Sequence, residues 1–203
     1  MADFELAAAR VLKLEGGYQN NPNDKGNYNS LNKNVGTNYG VSARLYESWI
    51  GRPPTVADMK AITLTLAKKI YRERFWNKIK GDQIRDQQLA TLVFDGAINH
   101  GVHRGVSLLQ EVLQVAVTGS MDNTTLQALN NQNAAKVYHA YRERRIKFYN
   151  AIVAKDPTQK VFLVGWLNRM ASFNSYVVAA GSVGFLLIFG AIFLIYNLNR
   201  RDL

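Results

Sequence analysis

A run of 23 residues without a charge, Tyr176 to Leu198 (YVVAAGSVGFLLIFGAIFLIYNL), limits this chain more than any other feature. As a helix it would extend roughly 34 Å, enough to cross a bilayer. Tyr176 and Tyr196 stand where interfacial aromatic rings belong, and Arg200 and Arg201 follow at once. The competing reading is a buried core helix, but a charge-free run of this length is long for one. Gly181, Gly184 and Gly190 weaken a soluble helix and are common in membrane helices. The pattern predicts one C-terminal membrane span over residues 176–198, within an anchor and short basic tail at 173–203. Its GSVG stretch offers small residues against which a partner helix could pack.

The remaining 172 residues read as mainly α, with no repeat and no low-complexity linker. A helix is expected from Asp3 to Glu15, with Phe4, Ala7, Ala8, Val11 and Leu12 on one apolar face and Gly16-Gly17 as its stop. Residues 16 to 40 are rich in Gly, Asn, Asp and Tyr, and should form exposed turns with a short β-ribbon. Further helices are expected over PTVADMKAIT, TLTLAKKIYRERFWNKI, RDQQLATLVFDGAINHG, VHRGVSLLQEVLQVAV, DNTTLQAL, NAAKVYHAYRERRIKFYNAIVAK and KVFLVGWLNRMASF. The first residues, MADFELAAARVLKLEGG, carry early acids and no uninterrupted apolar core, unlike a secretory signal.

Charge narrows the partners. With 25 Lys+Arg against 15 Asp+Glu, the net of +10 favours an anionic one: nucleic acid, an anionic membrane or an acidic wall polymer. There is no cysteine, which excludes disulfides, thiol catalysis and cysteine-based zinc sites. His100, His103 and His139 do not make a metal set, since no third ligand stands near the first two. No metal and no cofactor are expected.

Chemistry concentrates in LKLEGGYQNNPNDKGNYNS, residues 12–30. A carboxyl at a helix C-terminus faces the negative end of the macrodipole, which raises its pKa. Glu15 would then stay protonated near neutral pH and could donate a proton to a leaving oxygen. Glycosidic cleavage needs such an acid with a second carboxylate nearby, and Asp24 follows nine residues on. The bland alternative is an exposed helix end and a surface loop, and on spacing alone it leads. Asp95 and Asn99 lie one helical turn apart and could line a cleft, though a buried structural aspartate is the stronger reading. Tyr18, Tyr39 and Trp76 could stack on sugar faces, with core packing equally open for Trp76. The basic YRERRIK face at 141–147 reads as solvated, with anionic wall polymers or lipid headgroups as further ligands.

In order along the chain, EGGY, NPND followed by a glycine, TNYG, AKKIYRERFW, VFDGAINHG, LLQEVLQVAVTGSMDNTTLQAL and GWLNRM resemble glycoside hydrolase family 108, covering most of residues 4 to 170. The resemblance implies a lysozyme-like helical fold with a small β-ribbon after the first helix. It divides the chain into a catalytic region, 1–115, and a helical region, 116–172, similar to one assigned to peptidoglycan binding. It implies that Glu15 is the proton donor, with Asp24 and Thr37 completing the catalytic set. Tyr18, Asn38, Tyr39 and Asn99 are the expected glycan contacts. KGNYNSLNKNVG lengthens the segment before Thr37 relative to that pattern, and an excursion in the ribbon would restore the geometry.

The activity so implied is a muramidase acting on peptidoglycan glycan strands, with no nucleic acid as partner. A lytic transglycosylase cleaving the same bond and a non-catalytic, wall-binding virion protein are the alternatives. The span would place the chain in a host inner membrane or in the internal membrane of a phage particle, for lysis or entry.

Overall fold

The computed structural model describes residues 1–12 and 17–177, and helices carry nearly all of its regular structure. The mainly α expectation holds. α1 (Phe4–Val11) starts at Asp3, whose carboxylate accepts from the Leu6 amide, and buries Phe4, Ala7, Ala8 and Val11. It is shorter than its pattern suggests: Leu12 already has extended backbone at φ −89° and ψ 132°. Residues 13–16, which include Glu15 and with it the residue on which the dipole argument turns, lie outside the described ones.

α2 (Ala43–Ile50), which the sequence reading passed over, is capped by Ser42 and stopped by Gly51 at φ 74°. α3 (Val56–Lys60) opens on a capping box between Thr55 and Asp58. α4 (Leu64–Tyr71) runs into a π turn, Arg72–Trp76, in which the Asn77 amide donates to the Arg72 carbonyl at 2.8 Å. Trp76 is thereby fully buried, edge-on to Phe4 and Phe94 at 5.8 and 5.4 Å, with Nε1 donating to Asp82. That makes it a core residue and not a sugar platform.

α5 (Gln87–His100) is the central helix, buried at every residue from Leu89 to Ala97. Such all-round burial demands neighbours on each side, and α1, α6 (Val102–Leu113) and α8 (Ala134–Lys155) supply them. Gly105 lets α5 and α6 touch backbone to backbone, Gly96 leaves room for Tyr141 on α8, and the buried Tyr141 hydroxyl donates to the Gly105 carbonyl at 3.0 Å. α6 ends at Gln114 in left-handed conformation (φ 59°), earlier than the expected Thr118. α7 (Asn123–Asn131), capped by Asp122, and α9 (Lys160–Ala171) complete the fold.

Two expectations change. The 141–147 face is not simply solvated, because Tyr141 and Arg145 are fully buried. Tyr176, expected at a membrane interface, packs on protein instead: its ring lies 5.3 Å from that of Tyr138 and its hydroxyl donates to Asp86. The Gln88 side chain then holds both the N–H and the carbonyl of Val177. Among the described residues no helix is long and apolar enough to cross a membrane. The rest of the predicted span, 178–198, lies outside them.

Candidate active site

Between α1 and α2 the described residues make no continuous strand. Side chains bonding to nearby backbone hold it, and three antiparallel bridges order it: Gln19 with Thr37, Tyr28 with Asn34, Asn38 with Val41. The first closes the lengthened excursion. Gln19 and Thr37 exchange both backbone hydrogen bonds, at 2.9 and 2.8 Å, so the extra residues loop out and return. Gln19 also donates from Nε2 to Asp24 Oδ2 at 2.8 Å and to Asn27 Oδ1 at 3.0 Å. Asp24 Oδ1 accepts from the Gly26 amide at 2.8 Å. One residue thus ties the candidate aspartate to the candidate threonine. The sequence reading did not single out Gln19; a residue flanked by turn-formers on an otherwise polar loop gives no signal of such a junction.

Thr37 stands out chemically. Its Oγ1 is buried and has no hydrogen-bond partner among the described residues. A buried hydroxyl left unbonded costs on the order of 1–3 kcal/mol, which native structures rarely accept without a reason.

The expected glycan contacts divide. Tyr18 donates from its hydroxyl to the Val35 carbonyl at 3.2 Å, and Lys60 Nζ sits 5.1 Å from its ring centroid. Gly36, at φ 85°, leaves room for that ring, since a Cβ there would lie 2.4 Å from it. Asn38 is only 4% exposed, and its amide donates to the carbonyls of Met59 and Ile62 at 2.9 and 3.2 Å. Both side chains therefore hold the loop together, and Asn38 is too enclosed to serve as a glycan contact. Tyr39 and Gly40 both have positive φ (46° and 75°) in a tight turn closed by Asn38 and Val41. A tyrosine in that conformation is strained, and such strain concentrates at functional sites. Asn99 donates to the Asp95 carbonyl one turn back and lines a cleft.

That cleft, about 470 Å³, runs between the end of α1 (Arg10, Val11, Leu12), the last turns of α5 (Asp95, Asn99) and α9 (Gly165, Trp166, Asn168, Arg169). Leu12, three residues before Glu15, forms part of its wall. Beneath it lies an ion cluster. Asp95, fully buried, accepts from Arg145 Nη2 on α8 at 2.6 Å and from Arg169 Nε on α9 at 2.6 Å. Burial works against the Arg145 cation, but Asp95 together with Tyr141 and Tyr149 outweighs it, and the Arg145 pKa is raised. Arg145 Nε also donates to His100 Nε2 at 3.2 Å. Burial first, then the Arg145 charge, push His100 down to about 3, so this imidazole is neutral and accepts the bond. Asp95 is thus structural, as the stronger sequence reading had it. Its partner Arg145 was missed, although Val137, Tyr141 and Tyr149, at four-residue steps on either side, mark the buried stripe that contains it.

The family model for glycosyl hydrolase 108 matches residues 8–101, and one described as a predicted peptidoglycan domain matches residues 104–171. Among solved structures, SagA of Brucella abortus is similar at 31% identity and a TM-score of 0.70, over 84% of this chain and 90% of that one. No curated protein matches the chain.

Proposed function

We propose, for a chain that belongs to glycosyl hydrolase family 108, a muramidase mechanism on peptidoglycan. Membership makes it a glycoside hydrolase, and the adjoining peptidoglycan domain identifies the polymer it acts on. The finer reading is hydrolysis of the β-1,4 bond from N-acetylmuramic acid to N-acetylglucosamine. Glu15 protonates the glycosidic oxygen. Asp24, held as an acceptor by Gln19 and Gly26, faces the charge that develops at the anomeric carbon or orients water.

The observation that carries this reading is the Thr37 hydroxyl, buried without a partner and backbone-paired to the residue that grips Asp24. A group so placed suits an attacking water or the proton donor. Product analysis tests the reaction type. Mass spectrometry of digested peptidoglycan should find reducing muramic acid ends. Products ending in 1,6-anhydromuramic acid would instead assign a lytic transglycosylase.

The membrane placement rests on the uncharged 176–198 run alone. Tyr176 and Val177, the first two residues of that run, are clasped to the domain. We place the chain in a host inner membrane, where it awaits release during phage lysis, or in the membrane of a phage particle that meets the wall on entry. Protease treatment of spheroplasts and of purified particles distinguishes the two. A domain protected in neither, and washed off membranes by salt, would exclude an anchor.

A further inference from the structure

The α9 wall of the cleft has features that the proton donor and its partners do not use. Tyr149, Trp166 and Phe162 form a three-ring stack: Tyr149 to Trp166 at 5.1 Å and 19°, Phe162 to Trp166 at 5.9 Å and 28°. The stack begins in the core at Tyr149 and ends at Phe162, which is 53% exposed. Trp166 in the middle is half-buried and lines the cleft. Next to it, a Cβ on Gly165 would meet nothing within 4 Å, so the wall is open there. A large ring held between two others, with open space beside it, offers a rigid apolar edge against which a sugar can pack.

Charge adds a second, independent observation. Two guanidinium groups line the same cleft. Arg169 spends Nε and Nη2 on Asp95, leaving Nη1 without a partner among the described residues. Arg10 donates from Nη2 to the Ser172 carbonyl at 2.7 Å and lies over the Phe173 ring at 5.0 Å, leaving Nε and Nη1 without one. The only acid among the described lining residues is Asp95, already shared between Arg169 and Arg145. The described cleft therefore carries excess positive charge beside an aromatic wall.

We propose that this wall is a subsite for a carboxylate-bearing amino sugar, with the sugar packed along the Trp166 edge and its carboxylate on Arg10 and Arg169. It rests on the peptidoglycan reading, whose muramic acid bears a lactyl carboxylate that glucosamine lacks. The region described as a peptidoglycan domain then acts by completing the cleft rather than as a module apart, and it selects which sugar sits next to the cut.

Equilibrium binding to the inactive Glu15→Gln protein tests this with two probes: the disaccharide of N-acetylglucosamine and N-acetylmuramic acid, and neutral diacetylchitobiose. The acidic sugar should bind tighter, and 0.5 M salt should erase the difference. Arg10→Gln should weaken the acidic probe about three- to ten-fold and leave chitobiose unchanged. Arg169→Lys, which keeps the charge on Asp95 but removes the Nη1 donor, should weaken it by a similar factor. Equal affinity for both probes, or unchanged discrimination in both variants with unaltered unfolding temperatures, would overturn the subsite. Failure of the wild-type protein to release sugars from peptidoglycan would count against the muramidase reading instead, so the two failures are separable.

Discussion

Asp95 binds two guanidinium groups from two different helices in a space that water does not reach. Removing one partner of such a buried cluster leaves uncompensated charge, which costs more than the pair itself contributes. Asp95→Asn should therefore lower stability by about 3–5 kcal/mol in urea unfolding, with Arg145 left cationic in the core. His100 beside it gives a pH signature. The unfolded chain takes up that proton near 6.5 and the folded one only near 3. The unfolded state thus binds more protons in this window, and stability, full above pH 6.5, is lost as pH falls toward 3. The loss is roughly 3–5 kcal/mol over the whole window. In His100→Gln the pH slope of unfolding free energy between 6.5 and 4 should be smaller by close to one proton. At this scale the sequence showed Asp95 well and Arg145 poorly. An aspartate inside an apolar helix must be bonded, whereas an arginine in a basic run looks solvated unless the stripe on either side is followed.

Elements were legible wherever periodicity and caps agreed. Asp3 and the apolar faces of α1 and α5 could be read directly, and the α7 cap was narrowed to Asp122 or Asn123, because capping and burial are local or nearly so. The end of α1, the π turn after α4 and the turn network at 17–41 could not. Each is set by tertiary contacts or by side chains bonding to backbone, which leave no periodic trace. The α5–α6 crossing illustrates the point: helix propensity alone favours alanine over glycine by about 1 kcal/mol. A Cβ on Gly105, however, would lie 2.9 Å from the Gly96 carbonyl carbon and 3.0 Å from the Ala97 nitrogen. Backbone cannot yield as a flexible side chain can. Gly105→Ala should thus lower the thermal midpoint despite its better propensity, with a loss of about 2 kcal/mol or more. A rise in the midpoint would show that the helices can separate freely.

Across the whole molecule the cleft is a joint product. α1 leads to the segment carrying Glu15, the proposed proton donor, α5 forms the floor, and α9 supplies the opposite wall, tied to that floor by Arg169. The division between the two matched regions falls between residues 101 and 104, yet the ion cluster spans it. Fold class and family were readable from ordered motifs, while the shared cleft was not, since it joins residues over 150 positions apart, such as Val11 and Arg169. The account stands or falls on Glu15. The most direct measurement is sugar release from purified peptidoglycan by wild-type and Glu15→Gln proteins with matched unfolding temperatures. A proton donor contributes about 10²–10⁴-fold to rate, so the variant should lose at least a hundredfold in kcat. Release at an undiminished rate would place the acid elsewhere in the chain and contradict the proposed site.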